Sequence, residues 1–438
     1  MDALVKGWAG KKEIRSWYLY DWACSAFSAT VITVLMGPYL STIAENAAVA
    51  NSSTYIYPFG IQILPGSLFA YVISVSVILQ VFALPFLGAV ADFTHRKKDI
   101  MLGAAAVGSL ATVCMFFIVD TAYLLGAMLL IISNFSYGVS IVMYNAYLND
   151  IAPKEERDTI SSKGFAWGYL GGGLLLLVNL ALITFHESLG IGKGMAVRIS
   201  LSSAGVWWLL FSIFPLRNLR KYKPTRNVPE GKTLVGTGFS SIKSTLRDLK
   251  KYPKAVSFLL AYLFYNDGVQ AVIAMASVYG SKEVGMDESQ LIGAILMVQV
   301  VAIFGALGFN KVAKLSGTLN AILFSIIIWL AAVVYAYLLL DTAVDFYIMA
   351  FVVALVMGGS QALSRSLFSR LIPEEKEAEF FGFYEISERG TSWIGTALFG
   401  IVLQLSGSYR YAILSLVVFF VIGIILLLRM RSRYREAV

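Results

Sequence analysis

The segment "LNAILFSIIIWLAAVVYAYLLL", Leu319–Leu340, contains no charged residue and is long enough to cross a bilayer as one α-helix. Similar apolar runs recur along the chain, such as Tyr71–Ala91 and Tyr411–Leu428. Charged residues make up 14% of the chain and the mean hydropathy is +0.72. Soluble domains contain about a quarter charged residues. The sequence therefore predicts an all-α polytopic membrane protein.

Hydropathy predicts about twelve membrane helices in two groups of six. The predicted spans are 15–44, 67–91, 99–119, 122–148, 160–185, 195–215, 253–280, 288–310, 317–340, 344–368, 378–405 and 408–430. The segment between the sixth and seventh spans is basic and polar, and it contains Pro224 and Pro229. We therefore expect an N-terminal six-helix bundle at 1–215, a cytoplasmic linker at 216–252 and a C-terminal six-helix bundle at 253–438.

The basic residues predict the orientation of the chain in the membrane. Among the cations in loops, only Lys193, Arg198, Lys282 and Arg410 fall on the side opposite the termini. Because cytoplasmic loops carry the excess of Lys and Arg, both termini are expected in the cytoplasm, with the protein in the plasma membrane, which is the inner membrane in a bacterium. Since the net charge of +8 is spread over these loops, it does not indicate a nucleic-acid partner.

The pattern of reactive residues argues against an enzyme. Cys24 and Cys114 lie in apolar segments, and His95 and His186 are far apart without metal-ligand spacing. The chain has no recognisable nucleophile, metal cluster or nucleotide-binding loop, so no cofactor or metal is expected. The linker is too short for a typical soluble domain. A non-transporting membrane receptor stays open as an alternative, and no oligomer is implied.

The two halves of the chain resemble each other. "LNDIAPKEERD", Leu148–Asp158, follows the fourth span, and "FSRLIPEEKEAE", Phe368–Glu379, follows the tenth. An acidic residue also comes shortly after a tyrosine in the first span of each half, at Asp21 and Asp267. Parallel six-helix repeats joined by a long loop are the architecture of major facilitator transporters, whose substrate site lies at the repeat interface.

Several motifs resemble one family within that superfamily. The loop "GAVADFTHRKK", Gly88–Lys98, is similar to the major facilitator loop motif. The motifs "LYDWACSAF", "SSKGFAWGYLGGGLLLLVNL", "YLFYNDGVQAVI", "GGSQALSRSLFSRLIP" and "EFFGFYEISERGTSWIG" resemble the bacterial relatives of the Atg22 vacuolar effluxer, also called the UMF1 family. The resemblance implies a secondary transporter with the major facilitator fold. For the vacuolar relatives it implies export of neutral amino acids.

Polar side chains on the predicted spans indicate a binding site. Asp21 and Ser25 share one face of the first helix, and a carboxylate at the centre of a bilayer costs roughly 2.5–3.5 kcal/mol. A zwitterionic amino acid needs an anion near its ammonium and a cation near its carboxylate. The second half supplies both charges. The predicted substrate-binding residues are Tyr20, Asp21, Ser25, Asn145, Tyr265, Asn266, Asp267, Gln270, Arg365, Arg389 and Trp393.

Each of these residues also has a structural interpretation. The interior charges can pair only with each other, and Asn145 and Gln270 can serve as hydrogen-bond partners between helices. A proton is a candidate coupling ion, because carboxylates in a desolvated interior titrate. The alternative function is transport of another solute class, which is a peptide, a sugar derivative or a drug-like cation.

Four charged residues in the loops are predicted to form a gate on the cytoplasmic side. They are Asp92, Arg96, Glu155 and Glu374. The resemblance to other major facilitators implies ion pairs here that break and form again during transport. The alternative is that they are solvated loop charges.

Overall fold

The computed structural model describes residues 9–93, 96–152, 157–222, 251–371 and 392–433, together with Tyr384 and Ser387. The main elements of this part of the chain are helices. They are α1 (Lys11–Phe27), a π-helix (Ser28–Leu35), α2 (Met36–Ala50), α3 (Leu68–Phe93), α4 (Lys97–Cys114), α5 (Tyr123–Ile151), α6 (Arg157–Thr184), α7 (Lys193–Phe211), α8 (Ile213–Asn218), α9 (Pro253–Lys282), α10 (Glu288–Ser316), α11 (Thr318–Leu338), α12 (Ala343–Leu371), α13 (Ser392–Ser406), α14 (Tyr409–Ser415) and α15 (Val417–Arg433).

The described residues contain ten helical segments long and apolar enough to cross a membrane. Two shorter apolar helical stretches, Glu288–Ala302 and Trp393–Ser406, correspond to the eighth and eleventh predicted spans. The helix ends differ from the predicted bounds by a few residues, as hydropathy alone allows. The all-α polytopic prediction is confirmed for this part of the chain. The predicted division at 215 and 252 stays a prediction.

The first membrane helix is continuous from Lys11 to Ala50 but changes its winding midway. The residues of α1 and α2 are α-helical, whereas Ser28–Leu35 between them form a π-helix. π-Helical turns are rare, and they often mark functional sites inside α-helices. The wider segment begins three residues after Ser25, so it lies next to the predicted binding residues.

One compact unit contains the described residues up to Ile32, those of Phe82–Ile118, and those from Met128 to the start of the linker. In this unit α1 packs along α6 and also contacts α7. A Cβ atom at Gly171 would clash with the backbone of Trp22, and one at Gly172 would lie 3.1 Å from the Ser25 carbonyl oxygen. A Cβ at Gly173, by contrast, meets nothing within 4 Å. Small residues therefore allow these two helices to pack closely.

The start of the linker is held against the N-terminal end of α1 in the same unit. The buried Glu13 carboxylate accepts hydrogen bonds from the Arg220 backbone amide at 2.9 Å, the Arg220 Nε at 2.8 Å and the Tyr222 hydroxyl at 3.0 Å. Glu13 therefore raises the pKa of the Arg220 guanidinium above its ordinary value. Nearby, Lys221 Nζ pairs with Asp99 at 2.7 Å, and both side chains are about half exposed. These contacts fix the end of the helix that carries Asp21.

The second compact unit contains Thr33–Val81, Val119–Ala127 and the described residues from 251 onward. Here α9 packs on α15 and α13, and α10 packs on α12. The buried large side chains of this unit include Trp329, Tyr262, Tyr265 and Phe258. The helix α2 also belongs to this unit, where it contacts α9. The first membrane helix thus contributes its two α-helical parts to different units.

The Gly171 contact predicts a loss of stability on a minimal substitution. Gly171→Ala places a methyl group against the backbone of α1, and such overpacking costs about 1–3 kcal/mol. Thermal unfolding of the purified protein in detergent should show a lower Tm. Gly173→Ala is the matched control on the same helix, and its Tm should be equal or higher, because alanine favours helix over glycine. An equal fall in both variants would contradict close packing at Gly171.

The Glu13 contact predicts unequal effects of two similar substitutions. Glu13→Gln removes a buried charge that accepts three hydrogen bonds, so we expect a loss of about 1.5–3 kcal/mol in unfolding free energy. Asp99→Asn breaks an exposed ion pair, which contributes about 0–1 kcal/mol. Denaturant or thermal unfolding measures both. Equal losses in the two variants would show that Glu13 does not anchor the linker.

Candidate functional site

The Asp21 carboxylate lies in a pocket of neutral hydrogen-bond donors. It is 8% exposed on α1. The Ser25 hydroxyl donates to Oδ1 at 3.0 Å, and the Tyr144 hydroxyl donates to Oδ2 at 3.3 Å. Ser25 lies one helical turn beyond Asp21, as the polar stripe predicted, whereas Tyr144 comes from α5. Each oxygen of the carboxylate therefore has one donor, and neither donor carries a charge.

Tyr144 is fixed in place by an aromatic residue at the start of the same pocket. The Trp17 indole Nε1 donates to the Tyr144 carbonyl oxygen at 3.0 Å, and the two rings stack with centroids 4.2 Å apart. The Tyr20 ring lies 5.5 Å from that of Tyr144. Sequence reasoning selected Tyr20 but missed Trp17 and Tyr144. Their position one turn before Asp21, and next to Asn145, was the available signal.

Gly168 on α6 closes the pocket from the other side. A Cβ atom there would lie 2.8 Å from Asp21 Oδ1 and 2.7 Å from Ser25 Oγ. Any larger residue at this position would therefore displace the carboxylate or the hydroxyl. The Asp21 side chain thus faces helices of its own unit.

Asp267 occupies a similar setting in the second unit. It is 1% exposed on α9 and lies beside Gly395 of α13. A Cβ atom at Gly395 would lie 3.4 Å from Asp267 Oδ2 and 2.7 Å from the Cβ of Ala271. Neither carboxylate oxygen has a side-chain hydrogen-bond partner among the described residues. Asp267 is therefore more isolated from polar side chains than Asp21.

The two carboxylates occupy matching positions in the two halves. Each carboxylate lies on the first helix of its half and beside a glycine of another helix. Ser25, four positions after Asp21, also contacts Gly168, and Ala271, four positions after Asp267, also contacts Gly395. Gly168 belongs to the fifth helix of the first half, and Gly395 to the fifth predicted span of the second. The sequence similarity around the two aspartates thus corresponds to a similar local geometry in the two halves.

The other predicted residues of the seventh span lie within α9. The Tyr265 hydroxyl is 2.6 Å from the Ser364 hydroxyl of α12, so it is used in packing between helices. Gln270 Nε2 donates to Asn266 Oδ1 at 3.5 Å along the helix. Asn266 is buried, while Gln270 is partly exposed.

Two further predicted binding residues lie on other helices. Asn145 is partly exposed on α5, and Trp393 is partly exposed near the start of α13. The Trp393 carbonyl oxygen accepts a hydrogen bond from Thr396. These positions leave both side chains partly accessible.

Several predicted charges lie outside the described part of the chain. Arg389, Glu155 and Glu374 fall in undescribed segments. The backbones of Asp92 and Arg365 belong to α3 and α12, but their side chains are outside the described part. Arg96 is exposed at the start of α4. The predicted cationic subsite and the predicted gate therefore stay predictions.

Several of the described charged residues form ion pairs, and these pairs do not include the two buried carboxylates. The pairs of the first unit include Lys97 with Asp150 at 2.6 Å. Within the described ranges no ion pair involves Asp21 or Asp267. The same part of the chain contains no group of three side chains suited to hold a metal. The surroundings of Asp21 thus offer neutral donors and aromatic rings, and those of Asp267 offer no charged partner among the described residues.

Comparisons with solved structures show the fold. The chain matches a point mutant of the nucleoside transporter NupG with a TM-score of 0.68 at 13% identity, covering 96% of this chain and 100% of that one. The xylose transporter XylE from E. coli matches with a TM-score of 0.65 at 12% identity, covering 97% and 95%. These proteins are major facilitator transporters, so the predicted major facilitator fold is confirmed.

Comparisons of sequence show the family. The chain is 31% identical over 418 residues to the uncharacterized MFS-type transporter YxiO of Bacillus subtilis, covering 95% of this chain and 94% of the relative. It is 26% identical to autophagy-related protein 22 of Yarrowia lipolytica, covering 93% and 84%. The family model described as "Vacuole effluxer Atg22 like" matches residues 9–436. The chain therefore belongs to the Atg22-like family of major facilitator transporters.

Proposed function

We propose that this protein moves a neutral amino acid across the membrane by alternating access, coupled to a proton that binds Asp21 or Asp267. Membership of a transporter family supports the general activity and a non-enzymatic role. The observation that carries the finer proposal is the pair of matching buried carboxylates, neither of which has a cationic partner among the described residues.

The environment of these carboxylates supports proton binding. Burial of a charged group without a counter-ion is unfavourable, so a buried carboxylate gains from taking up a proton. Burial favours the protonated form of Asp21, whereas the hydrogen bonds donated by Ser25 and Tyr144 stabilise its charged form. Both protonation states of Asp21 therefore have a structural basis. A group that accommodates both forms inside a transporter can carry a proton between the two sides of the membrane.

The substrate class rests on charge and on the family. A neutral amino acid carries one positive and one negative group, and the predicted site offers Asp21 and Asp267 with Arg365 and Arg389. The partly exposed Gln270 and Trp393 would contact the polar and apolar parts of such a solute. The vacuolar members of the family are described as effluxers, which favours a small solute. We place both termini in the cytoplasm and the protein in the plasma membrane, since the basic loops lie on the side of the termini.

Transport assays with neutral variants of the two aspartates test proton coupling. In proteoliposomes, wild-type uptake of a labelled neutral amino acid should increase with an inward proton gradient. Asp21→Asn and Asp267→Asn cannot release a proton, so gradient-driven uptake should fall at least tenfold in one or both. Exchange of labelled for unlabelled amino acid requires no net proton movement, so a variant that has lost only the proton site should retain exchange, whereas one that has lost the anion near the substrate ammonium should lose both activities.

The control for this assay is an acidic residue outside the site. Asp99→Asn removes an exposed carboxylate and should keep gradient-driven uptake within about twofold of wild type. Wild-type uptake that does not change with the proton gradient would overturn the proposed coupling to a proton. Full driven uptake in both variants would remove Asp21 and Asp267 from the mechanism while leaving the substrate open to the next test.

Ligand-induced stabilisation tests the substrate class separately. A solute that binds only the native state at 100 times its Kd adds about 2.7 kcal/mol to the unfolding free energy, so Tm should rise by a few degrees. We expect this rise with one or more neutral amino acids, measured on purified protein in detergent. Dipeptides, sugars and hydrophobic cations are the comparison ligands. A rise with one of these classes alone would replace the amino acid as substrate.

A further inference from the structure

The far-side half of the first membrane helix packs against helices of the second half of the chain. The far side is defined here as the side on which α2 ends, at Ala50. Gly37 of α2 faces α9 so closely that a Cβ atom there would lie 2.5 Å from Val278 Cγ2 and 3.1 Å from Phe69 of α3. Buried positions recur on this face at Ser41 and Ala44. The contact therefore extends along α2.

A polar contact secures the far-side end of this helix. Lys282, the last residue of α9, donates to Glu45 Oε2 at 2.7 Å and to Thr42 Oγ1 at 3.1 Å. Glu45 and Thr42 are both on α2, so one ammonium holds two positions of the helix. The Lys282 side chain is 17% exposed and that of Glu45 is 44% exposed. The ion pair is therefore partly open to water and able to break.

The second membrane helix, which contains α3, also contacts a helix of the second half of the chain within the same unit. Ser74 of α3 and Thr396 of α13 share a hydrogen bond at 2.7 Å, and both residues are buried. The amide of Leu64, before α3, donates to Gln404 Oε1 of α13 at 2.7 Å. The first two helices of the first half are thus both joined to the second half on the far side.

The winding of the first helix changes where its packing partner changes. Asp21 and the rest of α1 pack in the first unit, and α2 packs in the second. The π-helix Ser28–Leu35 lies between them and includes the division at Ile32 and Thr33. A π-helix has hydrogen bonds between residues five apart, whereas an α-helix has them between residues four apart. A small change of hydrogen-bond register in this segment therefore changes the direction of α2, which follows it.

We propose that α2 is the moving element of a far-side gate, with the π-helix as its hinge and Lys282 as its latch. Alternating access requires the far-side contacts to open during part of the transport cycle. Release of Lys282 from Glu45 and Thr42 frees the end of α2, and the π-helix absorbs the bend. This gate does not depend on the identity of the solute or of the coupling ion.

Thiol labelling measures the opening of this gate. Ala44→Cys places a small buried reporter on the face of α2 that packs on α9, in a Cys114→Ser background whose remaining Cys24 is buried. In lipid nanodiscs, a polar maleimide should react slowly with the closed gate. Adding Glu45→Gln should increase the labelling rate about fivefold, which corresponds to about 1 kcal/mol, as expected for a partly exposed ion pair.

Two companion variants separate a latch from a general loss of structure. The double variant Glu45→Lys, Lys282→Glu exchanges the two charges and so restores an ion pair. Its labelling rate should return to within twofold of that of the parent. Glu283→Gln removes the neighbouring carboxylate, which pairs with Arg410 inside the second half at 2.6 Å. Its labelling rate should stay at the parent value. Equal rates in Glu45→Gln and the parent, failure of the exchanged pair to restore slow labelling, or fast labelling in Glu283→Gln would each overturn the latch.

Hydrogen exchange tests the hinge in the same samples. Opening through the π-helix should increase amide exchange in peptides covering Ser28–Leu35 of the Glu45→Gln variant, by at least threefold over the parent. Peptides from α11, which takes no part in the gate, serve as the internal reference. Faster labelling at position 44 without faster exchange in Ser28–Leu35 would overturn the hinge.

Discussion

The packing of the first helix of each half against a glycine of the fifth determines the chemistry of both buried sites. At Gly168 and Gly395 the missing side chain leaves space for the adjacent helix, and the side chain of an aspartate lies beside each glycine. Without that close approach the carboxylates would face a wider and more hydrated gap. Burial makes protonation a change with large energetic consequences, because a low-dielectric interior weakly stabilises charge. The two sites thus share one structural cause.

Hydropathy and charge could predict the fold because the bilayer imposes strong constraints. Every backbone polar group must be satisfied within the membrane, which leaves helices for segments such as Leu319–Leu340. The stripe of Asp21 and Ser25 could also be predicted, since positions four apart share a helix face. The hydrogen bond between these two residues agrees with that prediction.

The partners from other helices could not be predicted in this way. Tyr144 donates to Asp21 across 123 positions of sequence, and helical periodicity contains no information on which face of α5 meets α1. Nor could the contact between Gly395 and Asp267 be predicted, because it depends on α13 lying beside α9. The change to π-helical winding at Ser28–Leu35 has no signal within "SATVITVL" itself, which has the composition of an ordinary apolar helix. Pro38, three residues after its end, is a signal, because proline has no amide hydrogen to donate to the Val34 carbonyl oxygen. Tertiary packing decides the other two features.

The first membrane helix connects a buried carboxylate to a far-side contact within one continuous element. Asp21 lies seven residues before the π-helix, and Glu45 lies ten residues after its end. A proton or solute that changes how α1 sits on α6 therefore acts on the same helix whose far end Lys282 holds. Coupling over this distance needs no chain of side chains, since a helix transmits rotation and displacement along its axis. The π-helix is the point at which that transmission can be interrupted, so the two ends can also move separately. A transporter needs both behaviours, because its binding site and its gate must be linked during the conformational change and independent before it.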